Sequence, residues 1–253
     1  MTTWVGTSWK MNFSLAQARD YATGLAAALA ERPELTSGMQ PFVIPPFTAL
    51  TTVRDALGAA GGPGGVLLGA QNAHWEDAGA WTGEVSVPQV ADAGARLVEI
   101  GHSERRQHFA ETVERTRLKV RATLRHGLVP LLCVGEPAEV RDDGGSTEYI
   151  LDQARGALEG LEGAPLGDVL LAYEPIWAIG EHGRPATEDE LAEPMAALQA
   201  EYGGRVRAVL YGGSVSTDNA GPLLGVPGVD GLFVGRTAWN LEGYLRLLEI
   251  AAS

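Results

Sequence analysis

A chain of 253 residues with 45% apolar and 20% charged side chains has an ordinary globular balance and the length of one large domain or two small ones. Its net charge of −13 argues against nucleic acid or an anionic membrane as partner, since both need a basic face, and no apolar run reaches the roughly 18–20 residues of a membrane-spanning helix. Cys133 is the only cysteine, so no internal disulfide can form, and the strand-like start lacks the basic segment of a signal peptide; the expected compartment is the cytoplasm.

Short apolar runs alternate with longer amphipathic ones. Trp4–Thr7 reads as a buried strand, and Ser14–Glu31 as a helix capped by Ser14. Phe42–Ile44 is the second strand. Gly61–Gly65 (GGPGG) is a flexible loop before a third strand at Gly65–Leu68. Leu97–Ile100 is the fourth, followed by a helical turn over Ser103–His108 and a helix over Thr112–His126. Leu128–Val134 and Val169–Tyr173 follow. Thr187–Tyr202 opens as TEDE, a capping threonine and then acids suited to the positive end of a helix. Val206–Tyr211 and Gly231–Val234 complete eight strand–helix units. Near-continuous apolar strands separated by helices mean a parallel sheet covered by helices, and eight such units over about 250 residues have the size of a closed (β/α)8 barrel. The expectation is an α/β fold with a single barrel domain over residues 1–253. A doubly wound open sheet is disfavoured because no G-x-G-x-x-G follows the first strand.

A barrel of this kind carries its chemistry at the C-terminal strand ends. After the first strand come Ser8, Trp9 and Lys10, the last being one of only two lysines in the chain. A lone lysine commonly snorkels from a core edge, but at a strand end it points towards the barrel mouth. After the fourth strand, EIGHSERR places His102 before a helix start, whose backbone N–H groups disfavour an imidazolium. Its bland reading is structural; its functional one is a neutral ring donating to a carbonyl. Glu104 and Arg105 follow directly. After the sixth strand, Glu174 reads either as a rim carboxylate in an ion pair or as a general base. The AIGEHG that follows has the small residues of a lid between the stiffer PIW and RPA segments. YGGS after the seventh strand and VGR after the eighth expose backbone N–H groups where barrels often bind phosphate. No histidine pair or cysteine cluster has metal spacing, and no nicotinamide or flavin fingerprint occurs, so neither metal nor cofactor is expected. The set suits proton abstraction beside the carbonyl of a phosphorylated sugar.

Taken together, GTSWKMN, GAQNAHWEDAGAWTGEVS, EIGHSERRQHFAE, CVGE, AYEPIWAIG, YGGSV and VDGLFVG resemble the triosephosphate isomerase family, from Gly6 to about Gly235. The family's established roles, carried over residue by residue, make Glu174 the base next to the carbonyl and His102 the neutral electrophile that moves a proton between the enediolate oxygens. The resemblance further implies that Lys10 stabilises negative charge, that Glu104 organises the site, and that Gly180 in the lid, Ser214 and Gly235 grip the phosphate. It also implies a homodimer, with the segment around Thr82 inserted into a partner and Arg105 and Glu84 forming an interface pair.

Three departures stand out. Ser8 occupies a position where most family members have asparagine; Arg236 follows Gly235 where most have a second glycine; and the lid, GEHGRPAT, is one residue longer, with Pro185 stiffening its far end. Serine is smaller and opens space near the reacting end of the substrate, where one methylene-sized change is felt. A four-carbon ketose phosphate has one more hydroxymethyl group there than dihydroxyacetone phosphate. The GTSWKMN variant resembles the branch that converts L-erythrulose 1-phosphate into D-erythrulose 4-phosphate. Arg236 reads equally as a donor to the phosphate or as an outward group paired with a surface acid. The alternatives are a triosephosphate isomerase in which the serine is drift, and a catalytically silent phosphosugar-binding relative. A metal-dependent hydrolase on the same barrel would need histidine and aspartate ligands at several strand ends.

Overall fold

A computed structural model of the chain describes residues 2–161, 166–180 and 183–253. Its chain order is β1 (Thr3–Ser8), α1 (Leu15–Glu31), β2 (Met39–Ile44), α2 (Leu50–Leu57), β3 (Leu67–Ala70), α3 (Val87–Asp92), β4 (Leu97–Ile100), α4 (Ser103–His108), α5 (Val113–Arg125) and β5 (Val129–Val134). There follow α6 (Ala138–Asp142), α7 (Ser146–Leu158), β6 (Leu170–Tyr173), α8 (Glu188–Tyr202), β7 (Ala208–Tyr211), α9 (Ala220–Leu224), β8 (Gly231–Val234) and α10 (Leu241–Ala252). The strands pair in sequence order, and β8 returns to β1, closing a parallel barrel. Among the described residues no helix is long and apolar enough to cross a membrane.

The local signals act as read. Ser14 and Gln17 form a reciprocal cap on α1, as Thr187 and Glu190 do on α8, satisfying backbone donors that the first helical turn leaves free. Thr112 caps α5. Helix α1 buries Ala18, Tyr21, Ala22, Leu25 and Leu29, one stripe at helical spacing laid on the barrel.

The third strand corrects the sequence reading. It occupies Leu67–Ala70 instead of Gly65–Leu68. Val66 N–H bonds Ala60 O and Gly62 N–H bonds Val66 O, so the residues after the GGPGG loop close that loop and do not extend the sheet. Gly69 enters the strand because a Cβ there would lie 2.8 Å from Leu97 Cδ2 and 2.9 Å from Ile44 Cγ1. Strand β7 likewise starts at Ala208 and not Val206.

Strand alternation divides the core in two. Trp4, Phe42, Ile44, Leu67, Leu97, Leu131, Cys133, Leu170, Ala172, Ala208, Leu210 and Phe233 fill the barrel interior. Val5, Val43, Leu68, Val98, Leu132, Leu171, Val209 and Leu232 belong to the layer packed beneath the helices. The same alternation turns Ser8 and Glu99 inward. Below Ser8, Gly6 is the gap that admits the Phe42 ring, which stacks on Phe233 at 5.9 Å. A Cβ on Gly6 would lie 2.1 Å from that ring, so Gly6→Ala is expected to overpack the interior and cost roughly 1–3 kcal/mol, read as a lowered thermal midpoint.

Candidate active site

At the end of β1, Trp9 is wholly buried and packs edge-on against Phe13 and Tyr21 at 4.7 and 4.9 Å. This anchor throws Lys10 into a left-handed conformation, φ 52°, which costs a non-glycine residue energy and persists only where the surroundings hold it. They do: Gln71 Nε2 donates to Lys10 O at 2.8 Å, and Trp239 Nε1 donates to Ser8 O at 2.8 Å. The Lys10 ammonium donates to Glu104 Oε1 at 2.5 Å. Partial burial works against the Glu104 carboxylate, but that hydrogen bond, with the nearby His102 and Lys10, outweighs it and holds the group below the ordinary glutamate range.

His102 caps α4, and its Nδ1 accepts the Glu104 backbone N–H at 3.2 Å. An accepting Nδ1 leaves the single proton of the neutral ring on Nε2. That nitrogen faces Glu174 Oε1 at 3.8 Å. Both flanks of His102 are fixed by Glu111, whose carboxylate accepts from Gly101 N–H at 2.9 Å and from Arg105 Nε at 2.7 Å. Lys119, the other lysine, is buried against the same carboxylate and donates to Asn72 Oδ1 at 2.8 Å.

Glu174 follows β6, its N–H bonded to Val134 O at 2.7 Å. Its carboxyl is buried, and Oε2 has no hydrogen-bond partner, unlike most buried polar atoms. Glycines make room for it: a Cβ at Gly135 would lie 1.9 Å from Glu174 O, and one at Gly212 would lie 2.8 Å from Glu174 Cγ.

The sequence-derived residues converge. Ser8, Lys10, His102, Glu104, Glu174, Gly180, Ser214, Gly235 and Arg236 all line one cavity of about 720 Å³ at the C-terminal mouth. Two of them have partners that the sequence did not suggest. Ser214 Oγ donates to Ala178 O at 2.7 Å, linking the glycine-rich loop after β7 to the segment after β6. Arg236 Nη2 donates to Gly180 O at 3.0 Å, so its partner is the lid backbone, not a surface acid. Glu181 and His182, within the expected lid, lie outside the described residues. Thr82 and Glu84 are exposed on the loop after β3, while Arg105 pairs with Glu111 of its own chain. Among the described residues no three His, Cys, Asp or Glu side chains gather as a metal site would require.

Three carboxylates escaped the sequence reading: Glu111, described above, and two more. Glu136, in CVGE, is wholly buried; its Oε1 accepts from Trp177 Nε1 at 2.7 Å, Tyr173 Oη at 3.1 Å and Ser146 Oγ at 3.2 Å, which pins the near end of the lid. Glu99, on β4, accepts Ser8 Oγ–H at 2.7 Å. Burial pushes its carboxyl up to about 7, opposed by His102 and reinforced by Glu174, with the Ser8 hydrogen bond and Lys10 also opposing. Its signal was present: it is the one charged residue in LVEI, at an inward register position.

The model of the family described as triosephosphate isomerase matches residues 3–251. The chain belongs to the triosephosphate isomerase family. It is 64% identical over 250 residues to a protein of Mycolicibacterium smegmatis named L-erythrulose-1-phosphate isomerase, covering 99% of this chain and 93% of that one. A protein of the same name from Mesorhizobium japonicum is 48% identical, with 99% and 97% covered. The crystal structure of a Bartonella henselae triosephosphate isomerase superposes with a TM-score of 0.84 at 31% identity, covering 100% of both chains.

The Glu99 shift has a definite sign. The folded chain holds this proton more tightly than the unfolded chain, so its stabilising contribution is complete below the ordinary glutamate range and is lost as pH rises through about 7. Relative to Glu99→Gln, the wild type should lose up to about 3 kcal/mol of unfolding free energy across that window, measured by denaturant titration at several pH values.

Proposed function

We propose that this chain is a cofactor-free isomerase that converts L-erythrulose 1-phosphate into D-erythrulose 4-phosphate through an enediolate. The observation that carries the chemistry is the facing pair: a buried Glu174 carboxylate with one oxygen unbonded, and the Nε2 side of a ring whose Nδ1 is already an acceptor. Glu174 removes the proton from C3, next to the C2 carbonyl, and the C–H electron pair becomes the C2–C3 double bond of the enediolate. His102 Nε2–H polarises the C2 oxygen and passes its proton there, then takes the proton from the C3 oxygen. The proton returned to C2 by Glu174 leaves the carbonyl at C3, which is D-erythrulose 4-phosphate numbered from the other end. Lys10, steered by Glu104, faces the negative charge as it develops, where a fixed charge in a water-poor site is worth most. The phosphate occupies the glycine-rich segment Gly212–Ser216 with Gly235, beneath the lid at Gly180. The names of the relatives at 64% and 48% identity support the four-carbon substrate, and Ser8 in place of asparagine supplies the space for it.

The functional unit is a homodimer in this reading, with the exposed Thr82 loop and Trp81 as the inserted segment. Sedimentation velocity should give a dimer, and Thr82→Glu should shift it towards monomer.

Parallel turnover of L-erythrulose 1-phosphate and dihydroxyacetone phosphate by the purified chain tests the substrate. A higher kcat/KM on the tetrulose phosphate is expected; a triose preference by orders of magnitude makes the chain a triosephosphate isomerase. Glu174→Asp withdraws the carboxylate by about 1 Å and should lower kcat on the order of 10²-fold while phosphate binding persists. A chain that binds phosphosugar and turns over neither substrate is a silent relative.

A further inference from the structure

Glu99 is a carboxyl buried at an inward position of β4, a strand whose other residues, Leu97, Val98 and Ile100, are fully buried and apolar. A buried carboxyl is costly unless it is hydrogen-bonded, and the bond it receives comes from Ser8. The titratable groups around it are His102, Glu174 and Lys10, the three side chains assigned to the chemistry. It does not line the cavity itself; Ser8 does, and stands in front of it.

A serine hydroxyl has one hydrogen to donate and two lone pairs that accept. Ser8 Oγ donates its hydrogen to Glu99 Oε2, 2.7 Å away, so with that oxygen unprotonated Ser8 presents an acceptor to the cavity. Besides the Glu104 carboxylate, which holds Lys10, and the Glu174 carboxylate, which takes the proton, the groups at this end are donors: the Lys10 ammonium and His102 Nε2–H, which serve oxygens on the two reacting carbons. Asparagine, common at this position in the family, would carry an amide donor and fill the space.

We propose that Glu99 is a positioning residue for substrate selection: by holding the Ser8 hydrogen, it leaves the Ser8 oxygen to accept from the hydroxymethyl arm borne by the carbon that loses its proton. The inference rests on the four-carbon reading given above and identifies the group that recognises the fourth carbon. A three-carbon ketose phosphate has no hydroxyl at that place and makes no use of the pair.

The test compares wild type, Glu99→Leu, Glu99→Gln, Ser8→Ala and the Glu99→Leu/Ser8→Ala double variant on L-erythrulose 1-phosphate and dihydroxyacetone phosphate, after circular dichroism and thermal melting confirm folding. Glu99→Leu and Ser8→Ala should each lower kcat/KM on the tetrulose phosphate, chiefly through KM, so that the tetrulose-to-triose ratio of kcat/KM falls roughly 10–100-fold. The double variant should lose no more than either single one, because both remove the same interaction. Glu99→Gln should keep most activity, since its amide oxygen still accepts from Ser8. Equal losses on both substrates, or unchanged discrimination in Glu99→Leu, overturn the inference while leaving the four-carbon reading intact. If Glu99→Leu does not fold, a Ser8→Ala variant with unchanged discrimination overturns it equally. A wild type inactive on the tetrulose phosphate removes the reading and this inference together.

Discussion

Closure of the sheet is the constraint on which everything else rests. Because β1 bonds to both β2 and β8, no strand has a free edge, and every second side chain must enter a dry interior. The lower interior is filled by Trp4, Phe42, Leu67, Leu97 and Phe233, and the polar side chains of the site lie towards the C-terminal rim. There most find partners in other members of the site: Ser8 for Glu99, Glu104 for Lys10, and the Glu104 backbone for His102, while Glu174 Oε2 has none.

An anionic substrate and a net charge of −13 set the electrostatic problem. Distant charge is screened by water and salt, whereas groups inside the cavity act at short range in a medium of lower dielectric constant. Lys10 is therefore placed by a strained backbone held from two sides, and the glycine turns of the seventh and eighth loops add N–H dipoles that carry no titratable charge. The acids Glu99, Glu104 and Glu174 share the mouth without sharing an environment. Glu104 is held ionised by Lys10, Glu99 is pushed towards neutrality by burial, and Glu174 keeps one oxygen unpartnered.

The lid is built on a rigid near end. Glu136 collects three donors from β6, α7 and the lid, and the Trp177 ring lies between the Arg141 and Arg184 guanidinium groups at 4.5 and 4.7 Å. The same stretch of chain holds Glu174, whose backbone N–H is tied to Val134 O.

Much of this was legible in the chain itself. Apolar runs of strand length, capped amphipathic helices and glycine turns after the last strands follow from local chemistry, and eight repeats at this length leave few closed architectures. Lys10, His102 and Glu174 could be named because a barrel presents its strand ends at one mouth. What local chemistry does not contain is the partner of a side chain far away in sequence. Glu99 reads as a strand anomaly until closure brings β4 opposite β1 and gives it Ser8, 91 residues earlier. Arg236 had two equal readings until the lid backbone came within reach. The third strand slipped by two residues because a loop's own hydrogen bonds, invisible to periodicity, took Val66 first. The sequence by itself determined the barrel and which side chains stand at its strand ends, since both follow from repeating local patterns. Only the tertiary structure decided which acid faces which donor, because hydrogen bonds form across space and depend on where closure places each strand.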